Sequence, residues 1–338
     1  MTRIVVDAMG SDNFPTPDVE GAVMAAREYG VEMILVGDES KVKPVLDSLQ
    51  VGTLPVRVIH APEMLTMEDK GMALALKARR ANAKNSMAIG IDLVKSGEAD
   101  VFVTAGNTGA CVATAYFRLG TIEGVDLPAL VGPFPTATGT CLVLDIGANP
   151  NCKPINLQQF AIMGSVYAER VRKVKNPRIG LIANGEEAGK GSELVKESYP
   201  LLEAANINFI GNVEGKEIFN GQVDVAVADG FTGNVFLKAT EAVAKLLIEK
   251  IRETIKNGNL PTKIGGALVR PALSSIRKML DPSEEGAAPL LGVNGLVFIA
   301  HGRSDAQAIK SAVRVAKNAV EANVLNAMKN AIEESLKK

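Results

Sequence analysis

A chain of 338 residues can bury a substantial core, and its length fits one large α/β domain or two smaller ones. Its 37 basic and 38 acidic side chains nearly cancel, which excludes the broad positive field of a dedicated nucleic-acid binder and favours small-molecule chemistry. Three cysteines without regular spacing exclude a disulfide framework, and two histidines exclude a His-rich metal centre, although carboxylates alone can hold a metal.

The chain enters a strand pattern at Arg3-Ile-Val-Val-Asp7 with no basic segment leading into an apolar one, so no secretory signal is expected. No apolar run is long enough to span a bilayer, so the expectation is a soluble cytoplasmic protein with surface attachment to a membrane left open. Short apolar runs then alternate with amphipathic stretches, the pattern of βα units feeding a mostly parallel sheet. Strands are predicted over 3–7, 32–37, 56–60, 101–105, 139–145, 178–183, 207–211, 223–229 and 293–299. Helices are predicted over 16–29, 39–49, 86–97, 107–117, 155–173, 192–204, 233–256 and 305–335. No repeat, low-complexity tract or long linker divides them, so one doubly wound α/β domain over 1–338 is expected.

One excursion, 237–282, interrupts that domain. Val243, Leu246, Leu247, Ile251 and Ile255 recur at helical spacing, and a second helical stretch is predicted from near Pro271 after a Gly/Pro-marked turn, which makes a hairpin. The connecting segment from Asn259 to Arg270 sets Leu260, Ile264, Leu268 and Val269 among Lys256, Lys263 and Arg270. Apolar groups flanked by cations suit the headgroup boundary of an anionic membrane, and they suit a dimer contact equally well. Both readings hold together if the helix stems dimerise and the tip meets lipid.

Two turns carry the strongest chemical signal. Val101–Ala105 runs into Gly106, Asn107, Thr108 and Gly109, and Val225–Ala228 runs into Asp229, Gly230, Phe231, Thr232, Gly233 and Asn234, each followed by a helical pattern. In an open α/β sheet the carboxyl edge gathers backbone N–H groups and helix N-termini, so the two turns predict one phosphate-binding crevice. Asp7 and Asp12 flank Gly10 after the first strand and can bind a metal, orient a cation or organise the loop, with loop organisation the default. After the 139–145 strand, Asn149 and Lys153 bring an amide and an ammonium to the same edge.

The stretch Gly185-Glu-Glu-Ala-Gly189-Lys190-Gly191-Ser192 invites a P-loop reading but fails its spacing, because one residue too few separates the glycines and Gly191 replaces the magnesium-binding hydroxyl. It remains a glycine loop that can deliver the Lys190 ammonium to an anion, or a solvent-exposed loop lysine. Cys111 and Cys141 read as core residues; Cys152, beside Lys153, can form a thiolate, although a packed loop thiol is the better reading. His301, Arg303 and Ser304 follow the last predicted strand. The imidazole suits either general acid–base work or loop positioning.

The segments Val6–Asp12, Thr104–Ala110, Gln159–Tyr167, Asn208–Glu214 and Asp229–Asn234 closely resemble the bacterial phosphate acyltransferases of the PlsX type, and the resemblance runs continuously to at least the His301–Asp305 segment. It implies an enzyme that moves a long acyl group from acyl carrier protein to inorganic phosphate, giving an acyl phosphate for membrane phospholipid synthesis. It also implies a fold like that of phosphotransacetylases and isocitrate-dehydrogenase-type enzymes, a homodimer, and residence on the inner face of the cytoplasmic membrane. The family's glycine-loop lysine and the asparagine closing its Asp-Gly-Phe-Thr-Gly-Asn motif match Lys190 and Asn234, the expected catalytic pair. Ser11, Thr104 and Asn151 depart from the glycine, serine and aspartate common in the family. The first and last weaken any essential role for those side chains, whereas Thr104 keeps the hydroxyl.

The residues suit this chemistry independently. Phosphate attacks a thioester carbonyl, so the site must hold a dianion, stabilise an oxyanion and release a thiol. Phosphate is already nucleophilic at neutral pH, which removes the need for a Ser–His or Cys–His pair, and the scheme needs no cofactor and no metal. Lys190 would offset negative charge, Asn234 would donate to the thioester oxygen, and Gly106–Gly109 with Gly230–Gly233 would supply backbone donors. The resemblance implies an acidic carrier protein, and Arg252, Lys256, Lys263, Arg270, Arg277 and Lys278 suit either that carrier or anionic lipid. The alternatives are a metal-dependent hydroxy-acid dehydrogenase using Asp7, Asp12, Asp145 or Asp229 as ligands, and a noncatalytic membrane scaffold acting through the hairpin.

Overall fold

The computed structural model describes residues 1–337 apart from 67, 70, 81 and 280–285, and the side chains of 72 and 273–279 also lie outside the description. Its strands are β1 (Arg3–Asp7), β2 (Glu32–Gly37), β3 (Val56–His60), β4 (Val101–Thr104), β5 (Ala129–Thr136), β6 (Gly139–Leu144), β7 (Arg178–Ile182), β8 (Asn208–Val213), β9 (Val225–Val227), β10 (Ala288–Leu291) and β11 (Val297–Ile299). Helices are α1 (Thr16–Tyr29), α2 (Glu39–Ser48), α3 (Gly71–Arg79), α4 (Ser86–Lys95), α5 (Thr108–Leu119), α6 (Pro154–Arg170), α7 (Glu193–Ala204), α8 (Gly215–Phe219), α9 (Gly230–Asn257), α10 (Leu260–Met279), α11 (Ala306–Glu321) and α12 (Val324–Leu336).

The strands form one 11-stranded sheet in the order β3-β2-β1-β4-β11-β10-β5-β6-β9-β7-β8. Successive strand residues alternate between its two faces: Ile4, Val6, Met33 and Leu35 enter one core, whereas Val5, Ile34, Val36 and Phe102 enter the other. Helices cover both faces, which is why these strands read as continuous apolar runs. The expected doubly wound α/β fold is therefore present.

β5 and β10 escaped the sequence reading. β5 contains Gly132, Pro133 and Pro135, and β10 contains Pro289, residues that argue against a central strand. Both run antiparallel to their neighbours, with β10 against β11 and β5, and β5 against β6. The short α3 and α8 were also missed, and the single helix expected over 305–335 is two, because Asn323 adopts a left-handed conformation (φ 49°) between α11 and α12.

The antiparallel insertions reverse β6, β9, β7 and β8 relative to β1–β4 and β11. Between β4 and β9 lie β11, β10, β5 and β6. At ~20–25° of twist per neighbouring pair, the two halves rotate by on the order of 100° relative to each other. Residues that follow β4 in one half and β6 and β9 in the other line one concavity over β5.

The hairpin differs from its expected form. The turn is only Gly258-Asn259, and α10 begins at Leu260 instead of near Pro271. Asn259 caps it, its side chain accepting from Thr262 N (3.1 Å) and Thr262 Oγ1 (2.7 Å), and Pro261 falls in the first turn, where a missing N–H costs nothing. Leu260, Ile264 and Leu268 are thus an i, i+4, i+8 stripe on an exposed helix, with Leu268 76% exposed, and Val269, Lys263 and Arg270 share that helix. Residues 280–282 of the expected excursion, and the side chains of Arg277 and Lys278, lie outside the described residues. Among the described residues no helix is long and apolar enough to cross a membrane.

Candidate active site

A cavity of about 920 Å³ lies over β5, walled by one face of α5, the loop after β6, the start of α9 and the segment after β11. Thr108, Gly109, Asn149, Asn234 and His301 all line it, so the two phosphate-type turns do reach one crevice. Gly106, Asn107, Gly189, Lys190, Thr232 and Ser304 are not among its wall residues.

At the α5 end the chain organises itself through buried groups. Asp7, fully buried, accepts from Thr104 Oγ1 (2.8 Å) and Met9 N (3.1 Å), and Thr104 Oγ1 accepts from Gly106 N (3.0 Å). Burial raises the Asp7 pKa, partly offset by hydrogen bonding with Ser86, Thr104 and Met9 N. Gly10 packs so closely that a Cβ would come within 2.9 Å of Ala105 N. Asp12 is exposed, its main-chain N–H bonded to Gly302 O (2.6 Å). Loop organisation therefore accounts for Asp7 and Gly10. Asn107, expected to bind substrate, caps α5: its Oδ1 accepts from Ala110 N (3.0 Å) and its Nδ2 donates to Thr66 O (3.0 Å). Thr108 and Gly109, the first residues of α5, present N–H groups that have no intrahelical acceptor and line the cavity.

The loop after β6 is built around Asp145, which sequence reasoning treated only as a candidate metal ligand. Its carboxylate accepts from the N–H groups of Leu130, Gly147, Ala148 and Asn149 and from Asn149 Nδ2, at 2.7–3.1 Å. Burial raises the Asp145 pKa. Asn149 Nδ2 also donates to Pro128 O (2.6 Å), so the amide expected to meet substrate holds the loop, while Asn149 still lines the cavity. Cys152 Sγ bonds Asn149 O (3.4 Å), and burial pushes its thiol up to about 11, against the thiolate that Lys153 suggested. Lys153 itself is exposed at the N-cap of α6.

The start of α9 packs directly onto that loop. Asp229 caps it, accepting from Thr232 N (2.9 Å) and Thr232 Oγ1 (2.8 Å). Gly230 N donates to Asn149 O (2.8 Å) and Gly233 N to Asp229 O (2.9 Å). The backbone donors expected from Gly230, Thr232 and Gly233 are thus engaged within the chain. These glycines serve proximity: a Cβ on Gly230 would meet Asn149 O and Asp145 Oδ2, each at 2.7 Å. Phe236 anchors the next turn by stacking on Phe134 (5.0 Å), and Asn234 projects into the cavity beside Gly147.

Lys190 lies on an exposed turn after β7, with its N–H on Glu187 O (2.9 Å). Because β7 pairs with β9, the loops carrying Lys190 and Asn234 leave neighbouring parallel strands at one edge. Gly189 shares that turn and is exposed. Asn212 Nδ2 donates to Glu187 O (2.8 Å), and Lys216 pairs with Glu186 (2.7 Å), so the loop is tied to β8 and α8. His301 is exposed at the cavity, and Ser304 is buried with its N–H on His301 O (2.9 Å).

Among the described residues, Glu186, Glu214 and Glu217 are the carboxylates that cluster closely enough for a metal, but the Lys216 ammonium already sits among them at 2.7–3.5 Å. Of the aspartates suggested as dehydrogenase ligands, Asp7 accepts from Thr104 Oγ1, Asp145 from Asn149 N and Asp229 from Thr232 N, whereas Asp12 is exposed. Sequence reasoning also missed Gly147 and the apolar cavity walls. Val112, Tyr116 and Phe117 on α5 recur at helical spacing, which reads as core.

Comparison with known proteins places this architecture in a family. Residues 2–327 match the family model described as fatty acid synthesis protein. The phosphate acyltransferase of Acidobacterium capsulatum is 45% identical over 325 residues, covering 96% of this chain and 95% of that one. That of Geobacter sulfurreducens is 47% identical over 322 residues, covering 95% and 92%. In fold the chain is similar to the EutD phosphotransacetylase of Staphylococcus aureus, with a TM-score of 0.60 at 16% identity over 95% of this chain and 94% of that one. The sequence matches carry the assignment, and this chain belongs to the phosphate acyltransferase family of the PlsX type.

Proposed function

We propose that this chain transfers a long-chain acyl group from acyl carrier protein to inorganic phosphate, releasing acyl phosphate and the carrier thiol. Family membership supplies the reaction class, acyl transfer to phosphate, in fatty acid and phospholipid synthesis. The observation that supports the site assignment is a juxtaposition: Thr108 and Gly109, whose N–H groups have no acceptor within their helix, and Asn234 line one cavity whose remaining walls are largely apolar.

Phosphate sits at the N-terminus of α5, where N–H groups without an intrahelical acceptor and the helix dipole favour an anion, and His301 lines the same cavity. A phosphate oxygen attacks the thioester carbonyl carbon. Asn234 donates to the oxyanion as the C–O bond forms. The C–S bond then breaks, the electron pair leaves on sulfur, and the proton of hydrogen phosphate ends on the carrier thiol. Lys190, on the loop beside Asn234, offsets the gathered negative charge. Neither a covalent enzyme intermediate nor a metal enters the scheme.

The hairpin supplies attachment. Val235, Val243, Leu246 and Leu247 leave an apolar strip exposed on α9, suited to a second copy of the chain. The Leu260, Ile264, Leu268 stripe with Lys263 and Arg270 suits the inner, anionic face of the cytoplasmic membrane. The direct test incubates purified protein with long-chain acyl carrier protein, with and without phosphate and with chelator. Phosphate-dependent, chelator-insensitive acyl phosphate is expected; its absence under permissive conditions refutes the assignment.

A further inference from the structure

We propose that the acyl chain of the donor lies in the apolar part of the cavity, between the inner face of α5 and the facing strip of α9, and that Ala113 and Ala244 set how much chain it accepts. The assignment deepens the acyl-transfer reading and rests on it for the identity of the occupant. The first observation is an apolar helix face that the core covers only in part. Val112, Ala113, Tyr116 and Phe117 follow Gly109 along one face of α5, and all five line the cavity. Tyr116 and Phe117 pack edge to face at 5.5 Å yet remain 39% and 43% exposed, so the chain itself leaves much of their surface open.

The second observation is dimension. Gly109 to Phe117 on α5 spans about 12 Å, and Asn234 to Ala244 on α9 about 15 Å, at the ~1.5 Å rise of a helix. With ~1.5 Å carbon–carbon bonds in a zigzag, an extended chain advances roughly 1.25 Å per carbon, so the walls accommodate about ten to twelve carbons. The third is composition of the floor. Leu130, Gly132 and Phe134 of β5 form it, and a Cβ on Gly132 would come within 2.9 Å of Ile146 Cδ1, so the floor is flush and apolar. Asn234 lies on the same α9 face as Leu237 and Ala244, which makes the groove continuous with the amide that meets the thioester. The α9 wall also carries Lys238, Thr240 and Glu241, but the α5 face and the β5 floor offer almost no side-chain partners to a polar occupant, whereas a polymethylene chain there needs only to leave water.

The wild-type enzyme, Ala113→Trp and Ala244→Trp are titrated with butyl, octyl, dodecyl and hexadecyl phosphate below their micellar concentrations. The same proteins are assayed with carrier-protein thioesters of matching chain length. Wild-type affinity should rise roughly three- to fourfold per methylene and level off at about ten to twelve carbons. Each variant should level off earlier and lower kcat/KM for the hexadecanoyl donor by at least about tenfold relative to the octanoyl donor. A wild-type affinity independent of chain length, or a profile unmoved by both substitutions, overturns the proposal. A uniform rise in KM for every donor does the same, since it assigns the groove to the carrier's prosthetic arm. If alkyl phosphates show the expected profile but no donor is turned over, the groove stands and the reaction assignment falls. If turnover is normal and the profile does not move, the reaction stands and the groove falls.

Discussion

Gly233 lies directly against the main chain of Asp145: a Cβ added to Gly233 would overlap the Asp145 carbonyl oxygen. This contact seats the first turn of α9, and with it Asn234, on the loop that Asp145 organises. Gly233→Ala must therefore shift α9 or the loop, at a cost of about 1–3 kcal/mol of stability, with a larger loss of turnover because Asn234 moves. Gly265→Ala on α10, where an added Cβ meets nothing within 4 Å, is the control and should be neutral or slightly stabilising. Urea midpoints and turnover of both variants check the pair; a Gly233→Ala enzyme as stable and active as wild type refutes the seating argument.

Asn234→Ala and Lys190→Ala should each lower turnover by at least about tenfold without unfolding the protein, since loss of one oxyanion donor commonly costs ~10²–10³ in rate. Asn234 only lines the cavity and Lys190 is exposed, so neither truncation disturbs the core. Steady-state kinetics decides residue by residue, and near-normal turnover removes that residue from the catalytic set.

Cys152→Ala should remain active. The thiol is pushed up to about 11 by burial and is bonded to Asn149 O, so it stays protonated at neutral pH and is a poor nucleophile. A trapped acyl-cysteine in the wild-type protein by mass spectrometry, with an inactive but folded alanine variant, would establish a covalent intermediate instead.

Asp18 gives the fold a pH dependence. Its side chain is fully buried, Ser11 Oγ donates to Oδ2 (2.6 Å), and among the described residues Oδ1 has no partner; burial pushes the carboxyl up to about 7. A carboxyl whose folded pKa exceeds its unfolded value of ~3.9 keeps its proton in the folded state through that interval. Its contribution is full below about pH 4 and declines as pH rises toward 7. Asp18→Asn should remove this decline, so the difference in Tm between variant and wild type grows in favour of the variant from pH 4.5 to 7. Parallel Tm profiles would count against the buried-proton reading.

Most strands are legible in the sequence because both faces of the sheet are buried, and Asn234 and His301 stand out there because both follow apolar runs; both line the cavity. The structural work of Asn107 and Asn149 is not legible, since an amide after a strand looks the same whether it meets a ligand or closes its own turn. β5 was hidden by Pro133 and Pro135, and the start of α10 by Pro261, Gly265 and Gly266, which read as breakers although the first falls where a helix tolerates it. The cavity walls stayed out of reach because Val112, Tyr116 and Phe117 carry a core pattern, and only packing reveals that part of the face is uncovered.

The stripe on α10 makes the membrane reading separable from the dimer reading. Ile264 and Leu268 are one turn apart and exposed, with Lys263 and Arg270 on the same helix. Salt weakens carrier docking and lipid binding alike, so ionic strength cannot distinguish them. Charging the apolar stripe can, because burying a carboxylate in the headgroup boundary is costly whereas a soluble carrier need not cover it. Ile264→Asp with Leu268→Asp should abolish binding to anionic phospholipid vesicles while retaining much of the activity on soluble acyl carrier protein. Vesicle flotation, turnover and light scattering together decide the matter. Normal vesicle binding removes the stripe as the anchor, and dissociation of a wild-type dimer into monomers assigns it to the contact between copies.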